Sequence, residues 1–235
     1  MCGRYSLYKY LEQLNTYFEA ENRLGSVHAS YNAAPSQRLP IIYKSPKHSS
    51  RLIDAFSWGL IASNTKDQPS FKPINARAET VDKKWPFVTA YKNAQRCLVP
   101  ASGFYEWKGK KGNKQPYHIV PVNQPFFAFA GLYDIWIDDN EKPVPTFTII
   151  TTAASDKMQY LHNRMPAILL PDEFEWWLNA SNEANNDDPE ELLTPFSDDG
   201  FEYYPVSTDV NSVRNDSEHL VKEIDPDRSN PTLFD

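Results

Sequence analysis

Proline occurs 19 times in this 235-residue chain and is scattered along it, against only 8 glycines. Proline fixes φ and lacks an N–H, so prolines placed this way read as turn and strand-edge punctuation, not as a polyproline tract. The segments between them read mostly as short strands. Strands are expected at 3–6, 38–43, 52–58, 98–100, 103–107, 117–121, 126–136 and 145–152, with turn chemistry at 31–35 and a loop at 63–73. Four lysines and two glycines between Lys108 and Lys114 read as a basic hairpin loop.

Two helices are expected. Leu7, Leu11, Leu14 and Phe18 recur at helical spacing and predict an amphipathic helix over 8–20. Asp172, with Glu175 three residues on, predicts a capped helix at 173–179. The sum is an α+β fold: one domain over 1–235, with an antiparallel, barrel-like β core and a few peripheral helices. Its core is expected at about 2–216. The acidic segment near 182–200 and the tail after 224 are expected to be flexible.

With 40% hydrophobic and 14% aromatic residues, the chain is rich enough in apolar surface for one sizeable core. The first twenty residues lack the basic start and apolar run of a signal peptide. No run of about 18 apolar residues occurs, so no membrane span is expected. Two cysteines, Cys2 and Cys97, argue against a disulfide scaffold and make a reduced, cytoplasmic setting the default. Cys97, in the apolar run Cys-Leu-Val-Pro, reads as an inert buried thiol.

The net charge of −7 argues at first against a nucleic-acid partner. Its distribution changes that reading. Residues 1–120 hold 18 Lys and Arg against 8 Asp and Glu, whereas the remainder holds 6 against 23. Such asymmetry fits either a basic binding face or ordinary solvated surface, and phosphate contacts depend on local charge.

The chain starts Met1-Cys2-Gly3-Arg4. A residue as small as Cys2 permits removal of Met1 by an aminopeptidase. Cys2 then carries an α-amine and a thiol on adjacent carbons. The amine condenses with an aldehyde, and the thiol closes on the same carbon to give a thiazolidine. An internal cysteine has only an amide nitrogen and cannot do this. An α-amine titrates near pH 8, so a useful fraction is neutral at physiological pH. Alone, the dipeptide does not set Cys2 apart from any residue that follows an initiator Met.

Four further stretches concentrate polar residues beside apolar strand residues: 31–37 (Tyr-Asn-Ala-Ala-Pro-Ser-Gln), 75–80 (Asn-Ala-Arg-Ala-Glu-Thr), 100–107 (Pro-Ala-Ser-Gly-Phe-Tyr-Glu-Trp) and 161–166 (Leu-His-Asn-Arg-Met-Pro). With the start and with 205–211 (Pro-Val-Ser-Thr-Asp-Val-Asn), their order and spacing resemble the SRAP family of abasic-site processing, SOS response-associated peptidase-like proteins. The resemblance runs from Cys2 to about Asp216. Ala154-Ser155 departs from the Ala-Asn pattern, and 182–202 looks peculiar to this chain.

The resemblance implies a DNA-damage protein that binds single-stranded DNA and crosslinks to abasic sites through Cys2, with weak abasic-site lyase activity and crosslink reversal. It implies that Cys2 is the nucleophile, Glu106 the acid/base, His162 a stabiliser of the bound sugar, and Asn75 an orienter of the amine or sugar hydroxyls. Arg4, Arg77 and Arg164 read as phosphate clamps. Trp58 and Trp107 read as base-stacking surfaces or core. Pro40, with Arg38 and Leu39, reads as a wedge between duplex and single strand, and Met165 as a further DNA contact. The partner is expected to be abasic single-stranded DNA, bound by a monomer that is nucleoid-associated when on DNA. No cofactor or metal is implied. The alternative reading is a thiol peptidase built on Cys2, which removes its own Met1.

Overall fold

The computed structural model describes residues 2–45, 48, 50–110, 112–179 and 188–226. Its strands are β1 (Tyr5–Leu7), β2 (Ala20–Asn22), β3 (Ser30–Ala33), β4 (Arg38–Lys44), β5 (Arg51–Trp58), β6 (Asn75–Arg77) and β7 (Arg96–Ala101). There follow β8 (Gly103–Lys110), β9 (Asn113–Pro121), β10 (Phe127–Ile137), β11 (Pro143–Ala153), β12 (Arg164–Pro166), β13 (Ile168–Leu169) and β14 (Phe201–Pro205). Among the described residues, four short α-helices lie between them: α1 (Leu14–Tyr17), α2 (Phe87–Lys92), α3 (Asp156–Gln159) and α4 (Phe174–Asn179).

The first sheet has the order β14-β9-β8-β1-β3, antiparallel throughout. The second runs β12-β11-β10-β7-β4-β5-β2, with β13 on β10 and β6 on β11. It is antiparallel except where β5 and β6 meet β11 and β2 meets β5. This is the α+β, mainly antiparallel fold expected from the sequence. β7 and β10 are almost wholly buried, which explains their near-continuous apolar sequences. One apolar cluster joins the two sheets through contacts such as Tyr5 with Phe129 and Phe104 with Phe127.

The strand prolines follow the expected logic. Pro100 pairs with β10, and Pro40 with β5, but β4 and β7 meet only at Ile42–Leu98 and Tyr43–Cys97. Each proline therefore lies beyond the β4–β7 ladder, where one strand edge needs no donor.

Several expectations are corrected. The helix over 8–20 shrinks to a 3-10 turn at Leu11–Gln13 and α1, because Tyr10 and Glu19 take left-handed φ of 52° and 48° and break the run. Leu14 and Phe18 still bury as their spacing predicts. Residues 30–33 form β3 rather than a turn, and the turn comes after it at Ser36, φ 72°. The helix near 173 is capped by Glu173, whose carboxylate accepts the Leu170 N–H at 2.7 Å, while Glu175 pairs with Lys44 and Arg51. β14 and α2 carry no clear periodicity and went unpredicted. Of the segment read as flexible, 180–187 lies outside the described residues. Residues 188–200 are docked, with Leu192 and Leu193 buried in the core. The tail from 227 also lies outside the described residues.

A buried relay ties the first sheet together. The Tyr204 hydroxyl donates to the Val221 carbonyl at 3.1 Å, so it accepts from His118 Nδ1 at 3.0 Å. His118 Nε2 is left to accept from the Ser6 hydroxyl at 2.9 Å. A Cβ on Gly103 would lie 2.4 Å from Nε2, so only glycine permits the approach. Burial, helped by Lys9, pushes His118 down to about 3 from its ordinary 6.5. The folded pKa is depressed, so below pH 6.5 the unfolded chain binds the extra proton and stability falls until about pH 3. The expected loss attributable to His118 approaches about 1.4 kcal/mol per pH unit. Denaturant titrations between about pH 6.5 and 5, above the ordinary carboxylate range, check it. His118→Gln should flatten that slope, and an unchanged slope would refute the assignment.

Candidate active site

The site is assembled around the first residues of the chain. Tyr5 pairs with Phe104, and the Tyr105 N–H donates to the Arg4 carbonyl at 3.0 Å. Ahead of this pairing the chain runs back to Cys2, whose thiol lies within electrostatic reach of the Glu106 carboxylate. Cys2 is fully buried and Glu106 nearly so. In the chain that retains Met1, burial pushes the Cys2 thiol up to about 12, and the neighbouring Glu106 carboxylate adds to the rise.

Asn75 closes the other side. Its Nδ2 donates to the Cys2 carbonyl at 2.7 Å. Its Oδ1 is buried and accepts no hydrogen bond among the described residues. Asn75 is placed by β6, which pairs in parallel with β11 so that Arg77 lies beside Thr151. Thr151 also pairs with Pro166 of β12. One residue cannot pair with two strands on one edge, so β6 and β12 flank β11. This strip carries Asn75, Arg77 and Arg164, with His162 on the bend leading into β12. The Arg164 N–H donates to His162 Nδ1 at 3.0 Å, and Nδ1 also lies 3.2 Å from the Arg164 carbonyl, so the first residue of β12 holds the ring.

The expected DNA contacts divide by exposure. Arg77 is exposed at the end of β6. Trp107 is half-buried; its Nε1 donates to Asn211 Oδ1 at 2.7 Å, and it lines a cleft of about 440 Å³ with Lys114 and Thr208. Trp58 is corrected to core: it is 1% exposed, stacks on Phe147 and donates to the Ile74 carbonyl. Met165 is likewise fully buried and offers DNA no surface. Arg164 turns inward, forked onto the Glu79 carboxylate and held by Thr151, so its guanidinium is already committed. Arg4 donates to Asn32 Oδ1 at 2.7 Å and to the Val210 carbonyl at 2.8 Å, which makes it an anchor for the strand behind Cys2. Pro40 borders an open groove with Arg38, but Leu39 is buried and cannot act in a wedge. Cys97 is buried, with its thiol pushed far up by desolvation.

The sequence reading missed Glu79 and Asn32 as partners of these arginines. Asn32 also gathers the carbonyls of Ser212 and Asn215, which docks the 208–216 segment against β3. Both residues stand inside the motif stretches already singled out, but their partners are remote in the chain.

The family model described as SOS response associated peptidase (SRAP) matches residues 1–213. This chain belongs to the SRAP family. Among its SRAP relatives, "Abasic site processing protein YoqW" of Bacillus subtilis is 38% identical, covering 94% of this chain and 99% of that protein. "Abasic site processing protein HMCES" of Gallus gallus is 36% identical, covering 86% of this chain and 68% of that protein. A crystal structure of a Bacteroides thetaiotaomicron protein superimposes with a TM-score of 0.83 at 28% identity, over 95% of this chain and all of that one.

Proposed function

We propose that this protein, once Met1 is removed, binds abasic sites in single-stranded DNA and captures them covalently through Cys2. The observation that carries the reading is the enclosure of Cys2 between the Asn75 amide and the Glu106 carboxylate. The names of its SRAP relatives supply the lesion class.

The chemistry follows from the site. The ring-opened abasic sugar presents its C1′ aldehyde. The Cys2 α-amine adds to C1′, and loss of water gives an imine. When protonated, the imine is a cation, and the Glu106 carboxylate stabilises it. Sγ then adds to C1′ of the protonated imine as Glu106 takes the thiol proton, which replaces the proton already given to the nitrogen. The C1′=O bond is replaced by C1′–N and C1′–S bonds, with one water released. Asn75 Oδ1, buried without an acceptor role filled, is placed to take a hydrogen bond from the amine or a sugar hydroxyl. His162 supplies a proton donor or acceptor for forming and reversing the ring. Closure removes the imine from which β-elimination would cut the strand, so lyase activity is weak.

In the chain that retains Met1, the raised thiol pKa weighs against a thiol peptidase that removes its own Met1. A cysteine hydrolase needs a thiolate, obtained by lowering the pKa. Burial and Glu106 move Cys2 the other way.

Intact mass of the purified chain, alone and after exposure to a single-stranded oligonucleotide with one abasic site, tests the reading. The expected result is loss of Met1, then a species heavier by the oligonucleotide less one water. A processed chain that gains no mass refutes it. Arg77→Ala is expected to weaken binding across sequences and to lower the slope of log K against log salt by about one, since Arg77 is the exposed arginine of the strip. An unchanged slope would remove Arg77 from the phosphate track.

A further inference from the structure

The face of the first sheet that carries Glu106 continues outward into an aromatic and basic ledge. Glu106 pairs with Tyr117, and Tyr117 pairs in turn with Pro205. Cross-strand partners share a face, and so do residues two apart on one strand. Lys108 and Tyr203 therefore project on the side of Glu106. Their rings and charges meet: Tyr117 contacts Tyr203 edge-on at 5.8 Å, and Tyr160 lies over Tyr203 at 6.1 Å with an interplanar angle of 12°. Lys108 Nζ stands 2.7 Å from the Tyr160 ring centroid. Tyr160 is 55% exposed, far more than a tyrosine used for packing needs to be.

The position ties this ledge to the chemistry. Lys108 is two residues from Glu106, and Tyr160 is two residues from His162. The hairpin beyond adds Lys110 and Lys114, both exposed. Stacked aromatic faces beside lysines match one ligand chemistry, that of unpaired bases on a phosphate backbone.

We propose that Tyr160, Tyr203 and Lys108 form a subsite for the nucleotide adjoining the lesion. Its base stacks on Tyr160, and Lys108 leaves the ring to meet the phosphate. The ledge thus fixes the strand on one side of the abasic sugar and aims C1′ at Cys2. This inference rests on the function proposed above and adds a second contact point to it.

The test uses full-length protein and single-stranded oligonucleotides carrying a tetrahydrofuran abasic analogue, which has no aldehyde and reports non-covalent binding. The analogue is placed centrally, at the 5′ end or at the 3′ end. Wild type should bind one of the two end-placed oligonucleotides about tenfold more weakly than the central one, because one flanking base is lost from the ledge. Tyr160→Ala should bind the central oligonucleotide about tenfold more weakly than wild type and should no longer distinguish that end. Tyr160→Phe should stay within about twofold, since the ring is kept. Lys108→Ala should lower the salt slope by about one. Tyr160→Ala binding the central oligonucleotide within about twofold of wild type would overturn the proposal. A true abasic oligonucleotide separates the two ideas. Adduct formation with Tyr160→Ala affinity unchanged refutes the ledge alone. No adduct, with the Tyr160→Ala affinity loss present, refutes the capture chemistry and upholds the ledge.

Discussion

A chain that keeps one residue ahead of Cys2 is expected to form no stable adduct with abasic DNA, although its thiol is intact. The blocked nitrogen is then an amide, which cannot form an imine. The remaining thiol is buried and held neutral, with its pKa near 12, so it makes at most a reversible hemithioacetal. Cys2→Ala separates the two functional groups in the opposite sense. After Met1 removal it offers an α-amine without sulfur. The imine then forms without ring closure, so the stable adduct is lost and strand cleavage by β-elimination rises. Denaturing gels read both outcomes in one lane, as a slow-migrating species or a shortened strand. A stable adduct from the extended chain, at the rate of the processed protein, would show that the amine is dispensable and would return the thiol-only chemistry to first place.

Glu106→Gln is expected to slow adduct formation by about 10²–10⁴-fold, the usual contribution of a positioned acid or base. Two effects oppose each other. Losing the carboxylate removes the proton acceptor and the counter-charge for the cationic imine. It also removes one cause of the high Cys2 pKa, which by itself would help the thiol. Burial is the larger cause of that shift in the chain that retains Met1, so removing the carboxylate relieves only the smaller part and the loss dominates. The variant's rate should rise with pH as hydroxide takes over the proton transfer. Single-turnover crosslinking across pH measures this, and a rate within about threefold of wild type would remove Glu106 from the proton path.

The fold class and most central strands were legible in the sequence. Apolar runs such as 126–136 and 145–152 bury on both faces and need no long-range information to read as strands. Helical periodicity misled at 8–20, because side-chain spacing is blind to the left-handed φ of Tyr10 and Glu19. β14 was hidden because its five residues are mostly half-exposed and it exists by pairing with β9.

The candidate site shows the same division. The SRAP resemblance, carried by the order of the motifs, pointed to Cys2, Asn75, Glu106 and His162. It did not tell which tryptophan or arginine faces solvent. Trp58 and Trp107 are alike as sequence, yet one stacks on Phe147 in the core and the other lines an open cleft. Arg77 and Arg164 stand in equally polar motifs, but Arg164 is held by Glu79, 85 residues away. By itself, then, the sequence determined the SRAP resemblance, the strand-rich core and a cysteine at position 2, the residue on which the proposed chemistry depends. Tertiary structure alone decided that Cys2 is buried near Glu106, that Arg4 and Arg164 are held by partners within the protein, and that Tyr160 meets Lys108 and Tyr203. The reason is physical: burial and ion pairing depend on partners remote in the chain, whereas covalent reactivity and strand period are local.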